Sequence, residues 1–390
     1  MIKKKERPNF FSLNLKEYNK VNQIYIDKTI DILKKDRLVI INWLRNGWKV
    51  NFIKEFINTT WSNNNYFYFN KSEDIYNNIK DYKDLENLLN DYIKLYKKPN
   101  FIFLQNIDKI NNIKNFISKI YKEEYNIILV WNNIKIWWIN EIEIVNFPII
   151  NNDNIFNIIK YWYLNNMEKI EDIEIKEKYL KLLSKDIFLD EIFKNFWVKN
   201  IILYNLTLTY LSENNTFLSL RELQRNINNI TNISLKTTMD YIDFSIQVKI
   251  LKKINIFDFK KNKTITSKVK YYFTDNWIRN SLVNFNLKND ILIENLIFNK
   301  LKYNNYSIYW GLNGKFNFTF FGKLDNKEIF IHVSDSVKKV DIKKEVKKLL
   351  KIWREWNKIL LVEDIKKLWI KKVKYDSVEI VEVEDFLVRF

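Results

Sequence analysis

Val39-Ile40-Ile41-Asn42-Trp43-Leu44-Arg45-Asn46-Gly47-Trp48-Lys49-Val50 is an apolar segment that runs through a short loop into a basic residue. Arg37–Asn42 reads as a short buried strand, and Lys49–Asn58 carries the spacing of a helix. A lysine at a helix start, behind such a loop, stands where backbone N–H groups and the helix dipole converge on an anion. The loop itself needs glycine, so that the backbone can approach the ligand closely. Read literally, the indoles of Trp43 and Trp48 fill that space.

The whole chain is anomalous in the same sense. Its 390 residues include 4 Gly, 13 Trp and no alanine, where average usage predicts about 27 glycines. Many tryptophans stand where glycine belongs. Trp356 and Trp369 separate helical stretches from strand-like ones. Trp277 lies in Thr274-Asp275-Asn276-Trp277, which reads as a turn. Trp137 and Trp138 are adjacent in a loop. One reading unites them: UGA codons translated here as Trp and read as Gly in the source. Trp310 and Trp353, in a strand and in mid-helix, read as true tryptophans. The alternative is a chain that is simply Trp-rich and Gly-poor.

With glycine at 43 and 48 the loop becomes G-x-x-x-x-G-K-V, against the Walker A pattern G-x-x-x-x-G-K-[ST]. Trp43, Leu44, Arg45, Asn46, Gly47, Trp48, Lys49 and Val50 are then the candidate ATP-phosphate loop, with Lys49 reaching the β- and γ-phosphates. Val50 has no hydroxyl, so the usual ligand to Mg²⁺ is missing and the metal is expected to be held poorly. A strand–turn–helix connection without a ligand is the alternative.

From about 38 to 145, strand and helix signals alternate. The strands are Tyr66–Asn70, Phe101–Leu104, Asn126–Val130 and Glu141–Val145; the helices are Ile75–Tyr96 and Ile110–Tyr121. This alternation predicts a mostly parallel sheet with helices on both faces. From 150 to 212 the pattern is helical, over Ile155–Leu164, Lys176–Ser184 and Ile201–Leu211. Helices Ser219–Asn226 and Ser234–Val248 then precede strands Lys249–Phe259 and Ile265–Thr274, the winged-helix order. The last stretch reads αβββαβ: Ile291–Leu301, Tyr306–Trp310, Lys315–Phe321, Glu328–Val333, Ile342–Glu355 and Lys358–Val362, with a closing strand Val378–Val383. That is the order of restriction-endonuclease-like domains. The expected domains are 1–150, P-loop ATPase-like; 151–282, helical lid and winged helix; and 283–390, nuclease-like.

The Walker B position falls at Phe103-Leu104-Gln105-Asn106-Ile107. The chemistry there needs Asp to hold Mg²⁺ and Glu to polarise water, whereas Gln105 and Asn106 are neutral amides. Asp108 comes too late to replace Gln105 and is expected to cap the next helix.

At this point the chain resembles prokaryotic AAA-type ATPases with a winged helix and a C-terminal PD-(D/E)XK nuclease-like domain. Val39 to Lys49 is similar to that family's I-x-G-x-R-x-x-G-K, Phe103 to Ile107 to its F-L-D-E-I, and Ile128-Leu129-Val130-Trp131-Asn132-Asn133 to its I-x-T-G-S-N. Lys270 to Asn280 resembles K-x-Y-x-x-D-x-G-L-R-N, and Glu294 to Asn299 resembles E-N-x-V-[FY]-N. The resemblance implies ATP binding, DNA binding and a nuclease-like fold. It also places a degenerate nuclease site at Glu294, Asn317 and His332. The family's E-[IV]-D-F strand is Lys315-Phe316-Asn317-Phe318 here, so its carboxylates are gone. One carboxylate cannot assemble a metal-dependent phosphodiester site. A lone histidine on a strand is more often packing than a catalytic base.

The net charge of +18 favours anionic partners, although an AT-rich genome inflates lysine by itself. Candidate DNA-phosphate contacts are Arg221 and Arg225, then Lys236, Thr237 and Thr238 on the recognition helix, and Lys260, Lys261 and Lys263 on the wing. The absence of cysteine excludes thiol chemistry, and one histidine argues against a histidine zinc site. No apolar run spans a membrane, and the basic start lacks a signal-type apolar stretch, so a cytoplasmic protein is expected. The expected function is an ATP-binding protein with impaired hydrolysis that couples nucleotide to a winged helix on DNA. The alternative is a non-enzymatic scaffold for nucleic acid or protein partners.

Overall fold

The computed structural model describes residues 23–42, 49–60, 65–107, 110–131, 140–143, 161, 170–286, 289–334, 342–352, 357–363, 365 and 374–389. It divides into two compact units, Met1–Asn146 and Phe147–Phe390.

In the first unit, β1 (Leu38–Asn42), β2 (Tyr66–Asn70), β3 (Phe101–Gln105), β4 (Asn126–Trp131) and β5 (Asn140–Glu143) form one sheet in the order β2-β3-β4-β1-β5. Every pairing in it is parallel. Helices α1 (Gln23–Asp36), α2 (Lys49–Thr59), α3 (Tyr82–Tyr96) and α4 (Ile113–Lys122) cover it. Successive strand residues point to opposite faces. Leu38 and Ile40 of β1 therefore join Leu85, Leu89 and Phe116 of α3 and α4 on one face. Val39 and Ile41 join Tyr25 of α1 and Phe52 and Phe56 of α2 on the other. Helices on both faces explain why β1 to β4 are apolar along most of their length rather than alternating.

The helix expected from Ile75 begins only at Tyr82. Asp81 caps it in a reciprocal box with Asp84, while Asp74–Tyr76 form a separate 3₁₀ turn. Helix α1 carried no expectation. The expected capping residue Asp108 and the expected helix Ile155–Leu164 lie outside the described residues, apart from Tyr161.

The second unit opens with α5 (Ile173–Ile187), a π-helical turn Phe188–Phe193, α6 (Ile201–Glu213), α7 (Leu220–Asn228) and α8 (Leu235–Gln247). The hairpin β6 (Leu251–Asp258) and β7 (Lys263–Phe273) follows, then α9 (Asn276–Leu282) and α10 (Asn289–Tyr303). Strands β8 (Ser307–Asn313), β9 (Phe316–Leu324) and β10 (Lys327–Val333) precede α11 (Ile342–Leu350). The unit closes with β11 (Asn357–Val362), β12 (Lys374–Tyr375), β13 (Val378–Glu382) and α12 (Val383–Arg389). The strands make a single eight-stranded sheet, β12-β13-β11-β10-β9-β8-β6-β7. Its continuity rests on parallel pairing of Ile256–Asp258 with Trp310–Leu312. The 282/283 boundary expected from the sequence lies between α9 and α10, and the sheet runs unbroken from the strands before it to those after it.

Trp277 is not in a turn. It sits in the first turn of α9, whose N-cap is Asp275, and it is buried. Among the described residues, no helix is long and apolar enough to cross a membrane.

Candidate functional site

The five parallel strands of the first unit end on one edge, at Asn42, Asn70, Gln105, Trp131 and Glu143. Ligands of open α/β sheets bind at this carboxyl edge. Helix α2 starts at Lys49, seven residues beyond the last residue of β1. The six residues between, Trp43, Leu44, Arg45, Asn46, Gly47 and Trp48, lie outside the described residues. Lys49 is the first residue of α2, and Val50 stands half-buried beside it in the first turn. The first unit is thus a mixed α/β arrangement with a parallel sheet, in which α2, headed by Lys49, is the next described element after β1.

Gln105 ends β3 and is buried; its Oε1 accepts from the Tyr68 hydroxyl at 3.2 Å. Asn106 follows in the left-handed region, at φ 54°. Asparagine tolerates this conformation better than most residues. The turn lets Asn106 Nδ2 donate to Asn70 Oδ1 at 2.9 Å. Asn70 Oδ1 also accepts from the Ser72 backbone, and Asn70 Nδ2 donates to Glu73 Oε1 at 3.4 Å. Burial pushes the Glu73 carboxyl up, against hydrogen bonds from Asn70 and Tyr68 that pull it down. Burial also drives the Tyr68 hydroxyl upward, so it stays a neutral donor. At the strand ends themselves, Gln105, Asn106 and Asn70 are neutral amides, and Glu73 beside Asn70 is the one carboxyl in this network. Tyr68, Asn70 and Glu73 carried no functional expectation. The signal that could have found them is a polar residue ending the aromatic strand Tyr66–Asn70.

In the second unit Glu294 and His332 of the supposed nuclease site have separate sets of partners. Glu294, on α10, accepts from the Tyr272 hydroxyl at 2.5 Å and pairs with Lys270 Nζ at 2.5 Å. Lys270 is itself buried, with Nζ 4.5 Å from the Trp310 ring centroid, and burial lowers its pKa despite the partner. Neighbouring Asn295 exchanges hydrogen bonds with the Phe273 backbone and donates to Asn276 Oδ1. Asn299 Nδ2 donates to the Phe273 carbonyl, and Arg279 Nε to the Ser212 carbonyl. The motifs Lys270–Asn280 and Glu294–Asn299 therefore join β7, α9 and α10 as one buried polar network.

His332 lies between Thr319 Oγ1 at 3.3 Å and Glu345 Oε2 at 2.5 Å, and Lys348 also pairs with Glu345. These bonds, led by the one from His332, hold the Glu345 carboxyl down to about 2. Asn317 is exposed and belongs to the opposite face. Its neighbour Phe316 lies under Lys351, just beyond α11, while Phe318 packs with Phe330 and Val346 in the core that faces α11. Strand alternation then points Asn317 away from that side.

Of the candidate nucleic-acid residues, Arg221 and Arg225 are exposed one turn apart on α7, and Lys236 is exposed on α8. Thr238 is buried and its hydroxyl donates to the Ser234 carbonyl; the Thr237 hydroxyl bonds the Ser234 hydroxyl. Both threonines therefore serve the start of α8. Lys260, Lys261 and Lys263 are exposed at the β6–β7 turn.

No protein-family model matches the chain, and no curated protein matches it. Among solved structures it is similar to a Walker-type ATPase of Pyrococcus abyssi, at 9% identity and a TM-score of 0.44, over 67% of this chain and 95% of that one. It is also similar to the replication initiator DnaA bound to AMPPCP and single-stranded DNA, at 12% identity and a TM-score of 0.30, over 62% of this chain and 93% of that one.

Proposed function

We propose that the chain is an ATP-binding P-loop protein with impaired hydrolysis, which couples its nucleotide state to a winged-helix and nuclease-like module on DNA. The observation that carries the nucleotide part is the order of the interior strand β1 and then Lys49 at the head of α2, on the carboxyl edge of a parallel sheet. Trp43 to Trp48, read with glycine at 43 and 48, supply the backbone cradle, and Lys49 the charge for the β- and γ-phosphates. Impaired hydrolysis follows from three side chains. Val50 cannot ligate Mg²⁺, Gln105 cannot hold it through water, and Asn106 cannot act as a base.

The test is a titration with a fluorescent ATP analogue on protein carrying Trp43→Gly and Trp48→Gly. Saturable binding, lost in Lys49→Ala, is expected. Absence of binding would favour the second reading, a non-enzymatic scaffold for nucleic acid or protein partners, to which the same three substitutions also point. Metal-dependent turnover at an ordinary enzymatic rate would contradict the roles given to Gln105 and Asn106.

A further inference from the structure

Two turns that are 50 residues apart in sequence share one tip of the eight-stranded sheet. Strands β6 and β8 run parallel there, and the Phe259 N–H donates to the Leu312 carbonyl at 2.8 Å. The β6–β7 turn therefore lies beside the β8–β9 turn. Their contact is close. Gly314 adopts φ +66°, and a Cβ built on it would stand 2.5 Å from Lys260 Cε. Only glycine lets the lysine lie across this turn. The end of α11 arrives at the same place, since Asn313 Nδ2 donates to the Lys351 carbonyl and Lys351 Nζ stands 3.5 Å from the Phe316 ring centroid.

Lys260, Lys261, Lys263, Lys315 and Lys351 thus converge from three segments, and all are exposed. The nearest acidic residue in sequence, Asp258, is buried and turned inward. Its Oδ1 accepts from the backbone N–H groups of Lys260 and Lys261, which fixes the turn and leaves the ammonium groups outside. Elsewhere exposed lysines stand against carboxylates, as in Lys119 with Glu86 and Lys268 with Glu222. Among the described residues, none of the five has a carboxylate within ion-pair distance. Helix α8 presents a different balance, with Lys236 accompanied by Asp240 and exposed Asp243.

We propose that this composite tip, rather than helix α8, is the surface that grips the phosphate backbone of duplex DNA. The proposal deepens the DNA part of the proposed function and rests on it. Five exposed ammonium groups without a carboxylate partner, on adjoining segments, suit a run of phosphates. Among the described residues, none of the exposed large apolar side chains lies on the tip, so those residues offer nothing to insert into a lipid surface. Ammonium groups held on phosphates carry no sequence information, so this grip is indifferent to base sequence.

Fluorescence anisotropy with a labelled 30-base-pair duplex, across a salt series, tests this on the full chain. Five phosphate contacts give a slope of log affinity on log salt of about −4.5. The double variants K315E/K351E and K261E/K263E should each weaken binding at least about tenfold and flatten the slope by about 2. A control of equal charge change in the other unit, K83E/K114E, should alter affinity less than about twofold. If the wild type binds DNA and K315E/K351E binds equally well while Lys236→Glu does not, the composite tip is overturned and DNA binding survives. If the wild type binds no duplex at any salt, or binds only anionic phosphatidylglycerol vesicles, the tip and the DNA reading fall together.

Discussion

Asn106 Nδ2 donates to Asn70 Oδ1 at 2.9 Å, so the residue after β3 is tied to the last residue of β2 by two neutral amides. Under the proposed function, Asn106 carries an amide where hydrolysis needs a carboxylate.

Restoring carboxylates should therefore raise turnover. In protein carrying glycine at 43 and 48, the combined changes Val50→Thr, Gln105→Asp and Asn106→Glu should increase ATP hydrolysis at least about tenfold, equivalent to about 1.4 kcal/mol of barrier. Phosphate release assays measure it. Unchanged turnover in a variant that still binds nucleotide would show that these positions do not limit hydrolysis.

Glu294 should behave as a structural group. It is the partner of buried Lys270, with side-chain exposures of 14% and 4%. Glu294→Gln leaves that lysine uncompensated and should cost about 3–5 kcal/mol in urea unfolding. Adding Lys270→Met should recover much of the loss. A Glu294→Gln protein as stable as the wild type would mean that the pair contributes little.

Acid should loosen the contact between β10 and α11. The Glu345 carboxyl is held at about 2, mainly by His332 and then by Lys348, against an ordinary value of 4.5. A depressed carboxyl stabilises the fold above its unfolded pKa, and that stability is lost as pH falls through the folded value. The wild type should therefore lose stability between about pH 4.5 and about pH 2 more steeply than Glu345→Gln. Parallel acid-unfolding curves for the two proteins would remove this role.

Trp197 extends the argument about glycine. It ends a helical segment at φ 54° with 85% of its surface exposed, so the indole is both strained and unsupported. Trp197→Gly should stabilise the protein by about 1 kcal/mol, the scale of the left-handed penalty for a residue with a Cβ. Trp277 points the same way, since its indole N–H is buried without a hydrogen-bond partner. We propose UGA codons at both positions. UGG at 197 and 277, or a Trp197→Gly protein that is less stable, would count against the proposal.

Strands β1 to β4 of the first unit were legible because each is a short apolar run between polar breaks. Tyr66–Asn70 was found to the residue, and Phe101–Leu104 to within one residue. The boundary at Tyr82 was not, because the choice between Ile75 and Tyr82 is made by the Asp81–Asp84 cap and not by hydrophobic spacing. The terminal helix Val383–Arg389 was hidden for a related reason: its apolar residues continue the pattern of β13 without a break.

Residue chemistry alone determined which groups are missing. A valine at 50 has no hydroxyl and amides at 105 and 106 carry no negative charge in any fold, because that deficit belongs to the side chains themselves. Only tertiary structure decided who meets whom. It paired Glu294 with Lys270, gave His332 to Glu345, turned Asn317 to the other face, and joined five lysines from three segments at one tip. Hydrophobic periodicity reports which side of an element is buried. The partner on that side is chosen by pairing between distant strands, and that pairing leaves no local trace in the chain.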